Sequence, residues 1–194
     1  MTLTISHQDR YSRGQLILRF FLGLFYIGIP HGVILFFLGI WSAILSFVTF
    51  WVVLFTAHFP KGIFDYQIKL NRWGIRMEAA LMNLVDGYPP FGLDAVSDKV
   101  AFDVPRPERV SRGLTILRVL FGAFYVGIPH GVCLLVRAIA SLVLMIVAWF
   151  AVLFTGKYPA KMHEFIVGTC RWSLRVNLYL GYFTDAYPAF SGKP

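Results

Sequence analysis

The chain contains two copies of one unit, and this repeat constrains its fold more than any other feature. The run SRGQLILRFFLGLFYIGIPHGV begins at residue 12 and returns at residue 111 as SRGLTILRVLFGAFYVGIPHGV. The later motifs RWGIR and DGYPPF also return 99 positions further on, as RWSLR and DAYPAF. Two copies of one sequence predict two similar structural units that pack on each other. We therefore divide the chain into a first repeat at 1–91, a linker at 92–110 and a second repeat at 111–194.

Each repeat carries a long apolar stretch, at 16–57 and at 114–155, that is typical of a membrane protein. Hydrophobic residues make up 57% of the chain and charged residues 14%, whereas soluble domains carry about 25% charge. A bilayer core needs about 20 apolar residues in a helix, so each stretch is long enough for two crossings. The sequence predicts an all-α integral membrane protein with two parallel repeats, each with a transmembrane hairpin, and four transmembrane helices in total.

Two positions are open for each hairpin turn. A turn near Leu38 and Arg137 would let the arginine reach water, with Pro30 kinking the first helix. A turn at the Pro30 and Pro129 regions would leave a first arm of about 14 residues, which is short for a crossing. One continuous helix is not expected, because a proline inside a helix removes a backbone hydrogen bond.

Basic residues flank both ends of both apolar stretches and predict the orientation. Arg13 and Lys61 bracket the first stretch, and Arg112 and Lys157 bracket the second. Basic flanks favour the cytoplasmic side, so both termini of this multi-pass protein are expected there. With no soluble basic domain, the net charge of +8 indicates contact with anionic lipid headgroups and no nucleic-acid partner.

A third element follows each stretch, at 62–84 and at 161–183. Its polar residues recur at helical spacing opposite an apolar side. Arginines in its centre disfavour a crossing, so we predict an amphipathic helix in the cytoplasmic interface. Guanidinium groups bind phosphate, and tryptophan prefers headgroup depth. The predicted lipid- or partner-binding residues are Arg72, Trp73, Arg76, Arg171, Trp172 and Arg175, with general membrane anchoring as the alternative.

His31 and His130 occupy the same place in the two copies, within Ile-Pro-His-Gly. Ionisable residues inside membranes are often functional, so they form a possible intramembrane polar site, near each other if the repeats pack about a two-fold axis. The alternative is a histidine that bonds the backbone carbonyl freed by the proline. No metal site and no cofactor are predicted.

Three other features complete the sequence prediction. Asp86 and Asp185 are expected either to pair with the nearby arginines or to cap the following turn. Cys133 and Cys170 lack metal-ligand spacing and are expected to be reduced and packed. The linker at 92–110, rich in acidic residues and proline, is expected to be an exposed connection.

The order IPHG, LFTGKYP, RWSLRVN and TDAYPAFS in the second copy resembles a bacterial membrane family catalogued as the domain of unknown function DUF4389. The first copy is similar but departs at Ala57, His58, Gly74 and Glu78. The resemblance implies a tandem-repeat member located in the bacterial inner membrane. It implies no activity.

The motifs favour a non-enzymatic function, because no catalytic set stands out. We expect a membrane scaffold or accessory subunit that binds anionic lipid, itself as a homo-oligomer, or a larger membrane complex through its basic helices. The alternative is a small carrier or channel for a lipid or small solute, with its site between the repeats near His31 and His130.

Overall fold

The protein is mostly helical, as a computed structural model of residues 1–194 shows. Its elements, in chain order, are β1 Thr2–Ile5, α1 Arg13–Thr56, α2 Lys61–Leu81, β2 Val100–Asp103, α3 Arg112–Thr155 and α4 Ala160–Leu180. Each helix of the second half begins and ends 99 residues after its counterpart in the first. The two copies of the sequence therefore form the same succession of helices.

The prediction of transmembrane hairpins is wrong, because α1 and α3 are each one continuous helix of 44 residues. A wide π-helical turn lies one residue before each proline, at Leu24–Gly28 and at Ala123–Gly127, and the helix continues through the proline. Each helix ends only where the backbone turns left-handed, at Ala57 with φ 60° and at Gly156 with φ 71°. The chain thus has two helices long and apolar enough to cross a membrane, not four.

Arg137 does not lie at a turn, since it is within α3 and bonds to the neighbouring helix α4. Its guanidinium donates to the carbonyl of Phe165 at 3.0 Å and to Thr169 Oγ1 at 3.2 Å. It also lies 4.2 Å from the centre of the Phe165 ring. The hydrogen-bond acceptors of this guanidinium are therefore on a neighbouring helix, and it does not need a turn to reach water.

The predicted amphipathic helices exist as α2 and α4, and their apolar sides face the rest of the chain. In α2 the buried residues include Phe64, Ile68 and Trp73. Tyr66 Oη donates to the carbonyl of Leu38 at 2.9 Å, and Gln67 Nε2 donates to Ser46 Oγ at 2.9 Å. The inner face of α2 therefore lies along α1.

The segment 92–110 is more than an exposed connection, because it contains β2. This strand pairs antiparallel with β1, with Thr2 opposite Asp103. Leu3 and Phe102 are buried in the pair while their neighbours are exposed, which is the alternation of a half-buried strand. The expectation of a purely helical fold is corrected by this small sheet.

One hydrophobic core joins the two halves of the molecule. Its 23 buried residues come from both repeats and from the sheet. The Phe59 and Phe183 rings lie 5.0 Å apart, and the Tyr11 and Tyr158 rings lie 5.5 Å apart, measured between centroids. The repeats are therefore packed together rather than joined only by the linker.

Backbone hydrogen bonds cross between the repeats in reciprocal pairs. The start of each long helix bonds to the end of the other, at positions that correspond in the two copies. The donors and acceptors are Tyr11 N to Gly156 O at 2.8 Å, Val110 N to Ala57 O at 2.9 Å, Arg13 Nη2 to Phe154 O at 2.9 Å and Arg112 Nη2 to Phe55 O at 2.8 Å. The contacts between the two copies are therefore symmetric.

The outer faces of α1 and α3 are apolar and exposed. Of their most apolar 18-residue windows, only 6% and 17% of the residues are buried. Phe37 and its counterpart Val136 are each 64% exposed. The core helix of a soluble protein would be mostly buried, so these faces differ from such a helix.

The two cysteines are both free, as predicted, but only one is packed. Cys133 is exposed on α3, whereas Cys170 is partly buried on α4. Burial raises the pKa of the Cys170 thiol to about 12, so this thiol stays protonated at neutral pH.

Candidate functional site

The π-helical turns before Pro30 and Pro129 set the position of the histidines. Proline has no N–H, so the carbonyl four residues earlier loses its helical donor. Ile128 N–H bonds instead to the carbonyl of Ala123, five residues back. Such wide turns are rare and are frequent at functional sites. The freed carbonyl of Tyr125 accepts a hydrogen bond from Tyr187 Oη at 3.0 Å.

Each histidine is paired with the tryptophan of its own repeat. His31 Nδ1 accepts from Trp73 Nε1 at 2.7 Å, and His130 Nδ1 accepts from Trp172 Nε1 at 2.9 Å. Because the indole N–H can only donate, each Nδ1 is an unprotonated acceptor and the ring proton is on Nε2. The interpretation that the histidine bonds the carbonyl freed by proline is therefore wrong.

The two histidines are fully buried by aromatic rings, in two separate clusters. The His31 ring centroid lies 5.2 Å from Tyr88 and 4.7 Å from Phe91. The first aromatic–histidine cluster comprises His31, Trp73, Tyr88 and Phe91, and the second comprises His130, Trp172, Tyr187 and Phe190. The motifs IPHG, RW and YPxF of one repeat thus meet at one place.

The histidine rings lie away from the principal cavities, although Tyr187 and Tyr88 each line one. Both histidines are 0% exposed, and their Nε2 atoms have no hydrogen-bond partner. Neither ring lines any of the five principal cavities. No group of three or more His, Cys, Asp or Glu side chains is placed to hold a metal ion. In each cluster, the histidine of a long helix packs against aromatic side chains of the following helix and of the YPxF loop.

The aspartates of the DxYPxF motif hold the start of each long helix. Asp185 Oδ2 accepts from the N–H of Ser111 at 2.8 Å, and its Oδ1 is 2.8 Å from Arg118 Nη2. Asp86 likewise accepts from Ser12 N–H at 2.6 Å, but lies 3.9 Å from Arg19. Their partners are thus the arginines inside the long helices, which sequence reasoning did not single out.

The RWxxR arginines of the first repeat bind the chain itself. Arg76 is buried and donates to the carbonyls of Gly92 and Ala95, each at 2.6 Å. Arg72 donates to the Phe102 carbonyl at 2.8 Å and to Asp103 at 2.9 Å. Burial, and secondarily the charge of Arg72, lowers the pKa of Arg76. These bonds fix the segment after α2 against that helix.

The second repeat uses its arginines in the same way on the C-terminal segment. Arg175 donates to the carbonyls of Ser191 at 3.2 Å and Lys193 at 2.6 Å, and Arg171 donates to those of Gly192 and Leu3. The predicted tryptophans are buried against the histidines rather than free for headgroups. Binding of anionic lipid by the RWxxR residues stays a prediction.

The comparison with protein families concerns the second of these clusters. Residues 116–192 match the family model described as Domain of unknown function (DUF4389). The second repeat is therefore similar to the DUF4389 family over these residues. The matched segment contains the whole second cluster, together with Arg118, Asp185 and the two RWxxR arginines. No curated protein and no solved structure matches the chain.

Sequence reasoning identified the residues of these sites but not their partners. The doubled motifs pointed to His31, Trp73 and Asp86 by their recurrence alone. Nothing in the motifs showed that a histidine would meet a tryptophan 42 positions away. The recurrence of the arginine in Ser-Arg-Gly was a usable signal for Arg13 and Arg112, whose contacts join the repeats.

Proposed function

We propose that the protein is a non-enzymatic membrane scaffold or accessory subunit held in the bilayer by α1 and α3. The carrying observation is the exposed apolar outer face of both helices, of which only 6% and 17% of the most apolar window is buried. Monomeric soluble proteins rarely expose contiguous apolar patches of that extent. Lipid acyl chains fit this surface, whereas water does not.

The internal contacts support a structural role over a transport role. The polar residues that recur in both repeats form hydrogen bonds within the molecule. His31 bonds to Trp73, Asp86 to Ser12, and Arg76 to loop carbonyls. None of the five principal cavities reaches the histidines. The carrier or channel alternative therefore gains no specific support from the site.

We also propose that the two copies are parallel repeats about an axis normal to the membrane, both of the DUF4389 type. The reciprocal bonds between the start of each long helix and the end of the other support this arrangement. The proposed location is the bacterial inner membrane, with both termini on the cytoplasmic side, in keeping with the basic flanks of the long helices.

Anionic lipid remains the proposed partner, and exposed lysines at the ends of the long helices fit it best. Lys61 follows α1, while Lys157 and Lys161 follow α3, and all three are exposed. None belongs to an ion pair. Cations near a membrane surface attract anionic headgroups by about 1 kcal/mol each.

A thermal-shift titration tests the lipid proposal. The purified chain in neutral detergent is mixed with phosphatidylglycerol or with phosphatidylcholine, and its melting temperature is followed. The melting temperature is expected to rise with phosphatidylglycerol only, and to rise less in a Lys61→Gln, Lys157→Gln, Lys161→Gln variant. Lys193→Gln, at an exposed lysine of the C-terminal segment, is the matched control. Equal rises with both lipids would contradict the proposal.

Cross-linking in native membranes tests the scaffold proposal. Treatment with a short amine-reactive reagent before solubilisation, followed by mass spectrometry, is expected to give links between two copies of the chain or to one recurrent membrane protein. A product that contains only links within single copies would remove the support for a scaffold.

A further inference from the structure

We infer that α1 and α3 lie in the plane of the membrane, embedded in one leaflet, and do not cross the bilayer. The occupant of their outer faces is then the acyl-chain region of that leaflet. This inference rests on the membrane association in the proposed function and specifies its geometry. It also replaces the sequence expectation of a multi-pass protein.

The first argument is the length of the apolar face. Exposed apolar side chains run from Ile17 to Phe55 on α1 and from Ile116 to Phe154 on α3. At 1.5 Å per residue, such a face is about 57 Å long along the helix axis. The hydrocarbon core is only about 30 Å thick. A crossing helix would leave about half of this apolar face in water, whereas a helix in the plane immerses all of it.

The second argument is the opposite face of α1, where hydrogen bonds to the covering loops and to α2 run from Arg19 to Leu38. Near its start Arg19 donates to the carbonyl of Val85 at 2.8 Å. At its middle His31 is bonded to Trp73, and Leu38 accepts from Tyr66 at 2.9 Å. Over this part of its length the helix therefore has one apolar exposed side and one side with polar contacts, as in helices that lie at an interface.

The third argument comes from charges beside the middle of α1. Lys69 and Asp94 form an ion pair at 2.6 Å, with side chains 43% and 82% exposed. Along α2, Lys69 lies between Tyr66, which bonds to Leu38, and Trp73, which bonds to His31.

Arg72 and Asp103 form a second ion pair at 2.9 Å in the same region, with side chains 40% and 70% exposed. A crossing α1 would bring all four charged side chains to the bilayer core, where charges are costly and rare. With α1 in the plane, both ion pairs lie on the water side.

The charged residues of the long helices also lie away from the apolar exposed face. Arg19 and Arg118 are buried and bonded to backbone carbonyls, and Arg137 bonds to α4. Between Ile17 and Phe55, and between Ile116 and Phe154, every exposed residue is uncharged. At the helix ends the exposed cations are Arg10, Arg13, Lys61, Arg109, Arg112, Lys157 and Lys161, which complement anionic headgroups around the embedded face.

Sidedness of single cysteines gives the first test. In a Cys133→Ile, Cys170→Ser background, Arg10→Cys and Lys61→Cys bracket α1, while Arg109→Cys and Lys157→Cys bracket α3. An impermeant maleimide is applied to sealed vesicles of each orientation. All four positions are expected to label from the same side. Labelling of Arg10→Cys and Lys61→Cys from opposite sides would overturn the inference.

Depth along α1 gives the second test, which also distinguishes a hairpin. A fluorophore is attached to cysteine at Leu18, Phe37 or Phe55, and quenching by lipids with spin labels at different acyl depths is measured. The three positions are expected to show the same shallow depth. A Phe37 position at or beyond the bilayer centre would overturn the inference. Asp98→Cys, on the exposed polar side, is the control and is expected to show no quenching by acyl-chain labels.

Extraction separates failure of this geometry from failure of the proposed function. Native membranes are washed with alkaline carbonate, and the chain is expected to remain in the pellet until detergent is added. Release by carbonate would refute the membrane association and the inference together. Retention with opposite-side labelling or a deep Phe37 would refute only the in-plane arrangement.

Discussion

At the scale of single residues, the histidine of each repeat is a hydrogen-bond acceptor inside an aromatic cluster. The indole N–H of Trp172 can only donate, so it requires His130 to be unprotonated at Nδ1. His31 and Trp73 repeat this pairing in the first copy. One side-chain contact thus explains why IPHG and RW are the same distance apart in both copies.

Replacing Trp172 by phenylalanine is expected to destabilise the protein by about 1–3 kcal/mol, because it leaves the buried His130 Nδ1 without a donor. Unfolding in detergent, followed by near-UV circular dichroism, measures the change. Trp149→Phe is the matched control, since Trp149 Nε1 has no partner in the structure. A control that is as destabilised as Trp172→Phe would contradict the role of the bond.

The hydroxyl of Tyr187 is expected to contribute about 0.5–1.5 kcal/mol through its bond to the carbonyl freed by Pro129. Tyr187→Phe removes that bond alone. In the first copy, Tyr88 makes no such bond through its hydroxyl, so Tyr88→Phe should be nearly neutral. Equal losses of melting temperature in the two variants would show that the hydroxyl is not the cause.

His163 is expected to make stability depend on pH. Burial lowers the pKa of His163 below its usual 6.5, with a smaller lowering by His7 and an opposing effect of the bond to Leu84 O. The unfolded chain therefore takes up a proton first, so stability should fall as the pH drops from above 6.5. His163→Phe, which copies Phe64 of the first repeat, should reduce this fall between about pH 7 and 5, as measured by melting temperature. An unchanged pH profile would exclude His163 as a source.

At the scale of elements, the long helices were only partly predictable from the sequence. Their apolar character is visible in the sequence, whereas the capping of their first turns by Ser12 and Ser111 emerges from the structure. That each helix continues through its proline could not be predicted, because proline usually ends or kinks a helix. Here a bond to the carbonyl five residues back, together with Tyr187, accommodates Pro129.

The aspartate that fixes the start of α3 is expected to be more important than its counterpart at α1. Asp185 contacts Arg118 Nη2 at 2.8 Å, and the Nε and Nη1 atoms of Arg118 have no hydrogen-bond partner. Arg118 has one further acceptor, the carbonyl of Thr184, whereas Arg19 donates to the carbonyls of both Val85 and Gly87. Asp185→Asn should cost about 3 kcal/mol, because it leaves a buried charge poorly paired, and Asp86→Asn about 1 kcal/mol.

Chemical unfolding of the two variants in the same detergent measures this difference. The two aspartates accept the same backbone bond from Ser12 and Ser111, so each variant is the control for the other. A larger loss in Asp86→Asn would contradict the account of Arg118.

At the scale of the whole molecule, the repeat predicted that the two halves would share one succession of helices. It predicted neither the single long helix of each half nor the layer that covers it. The bounds of α2 and α4 agree with the predicted amphipathic helices to within a few residues. The pairing of β1 with β2 joins residues about 100 positions apart, which no local pattern reveals. The arginine partners are backbone carbonyls, and carbonyls carry no sequence signal.

The resulting molecule has two long apolar helices on one side and charged loops, short helices and a small sheet on the other. The two halves hold each other through a common core and reciprocal bonds at the helix ends. In the proposed function, the apolar surface contacts lipid and the polar surface contacts water or a partner protein.

Photolabelling from the bilayer core tests this division most directly. A carbene-generating acyl-chain probe is activated in membranes that contain the full chain, and the labelled peptides are mapped by mass spectrometry. Label is expected on the exposed residues of 17–55 and 116–154, and not on 61–112 or 157–194. Comparable labelling of α2 and α4, or absence of label from α1 and α3, would contradict the account.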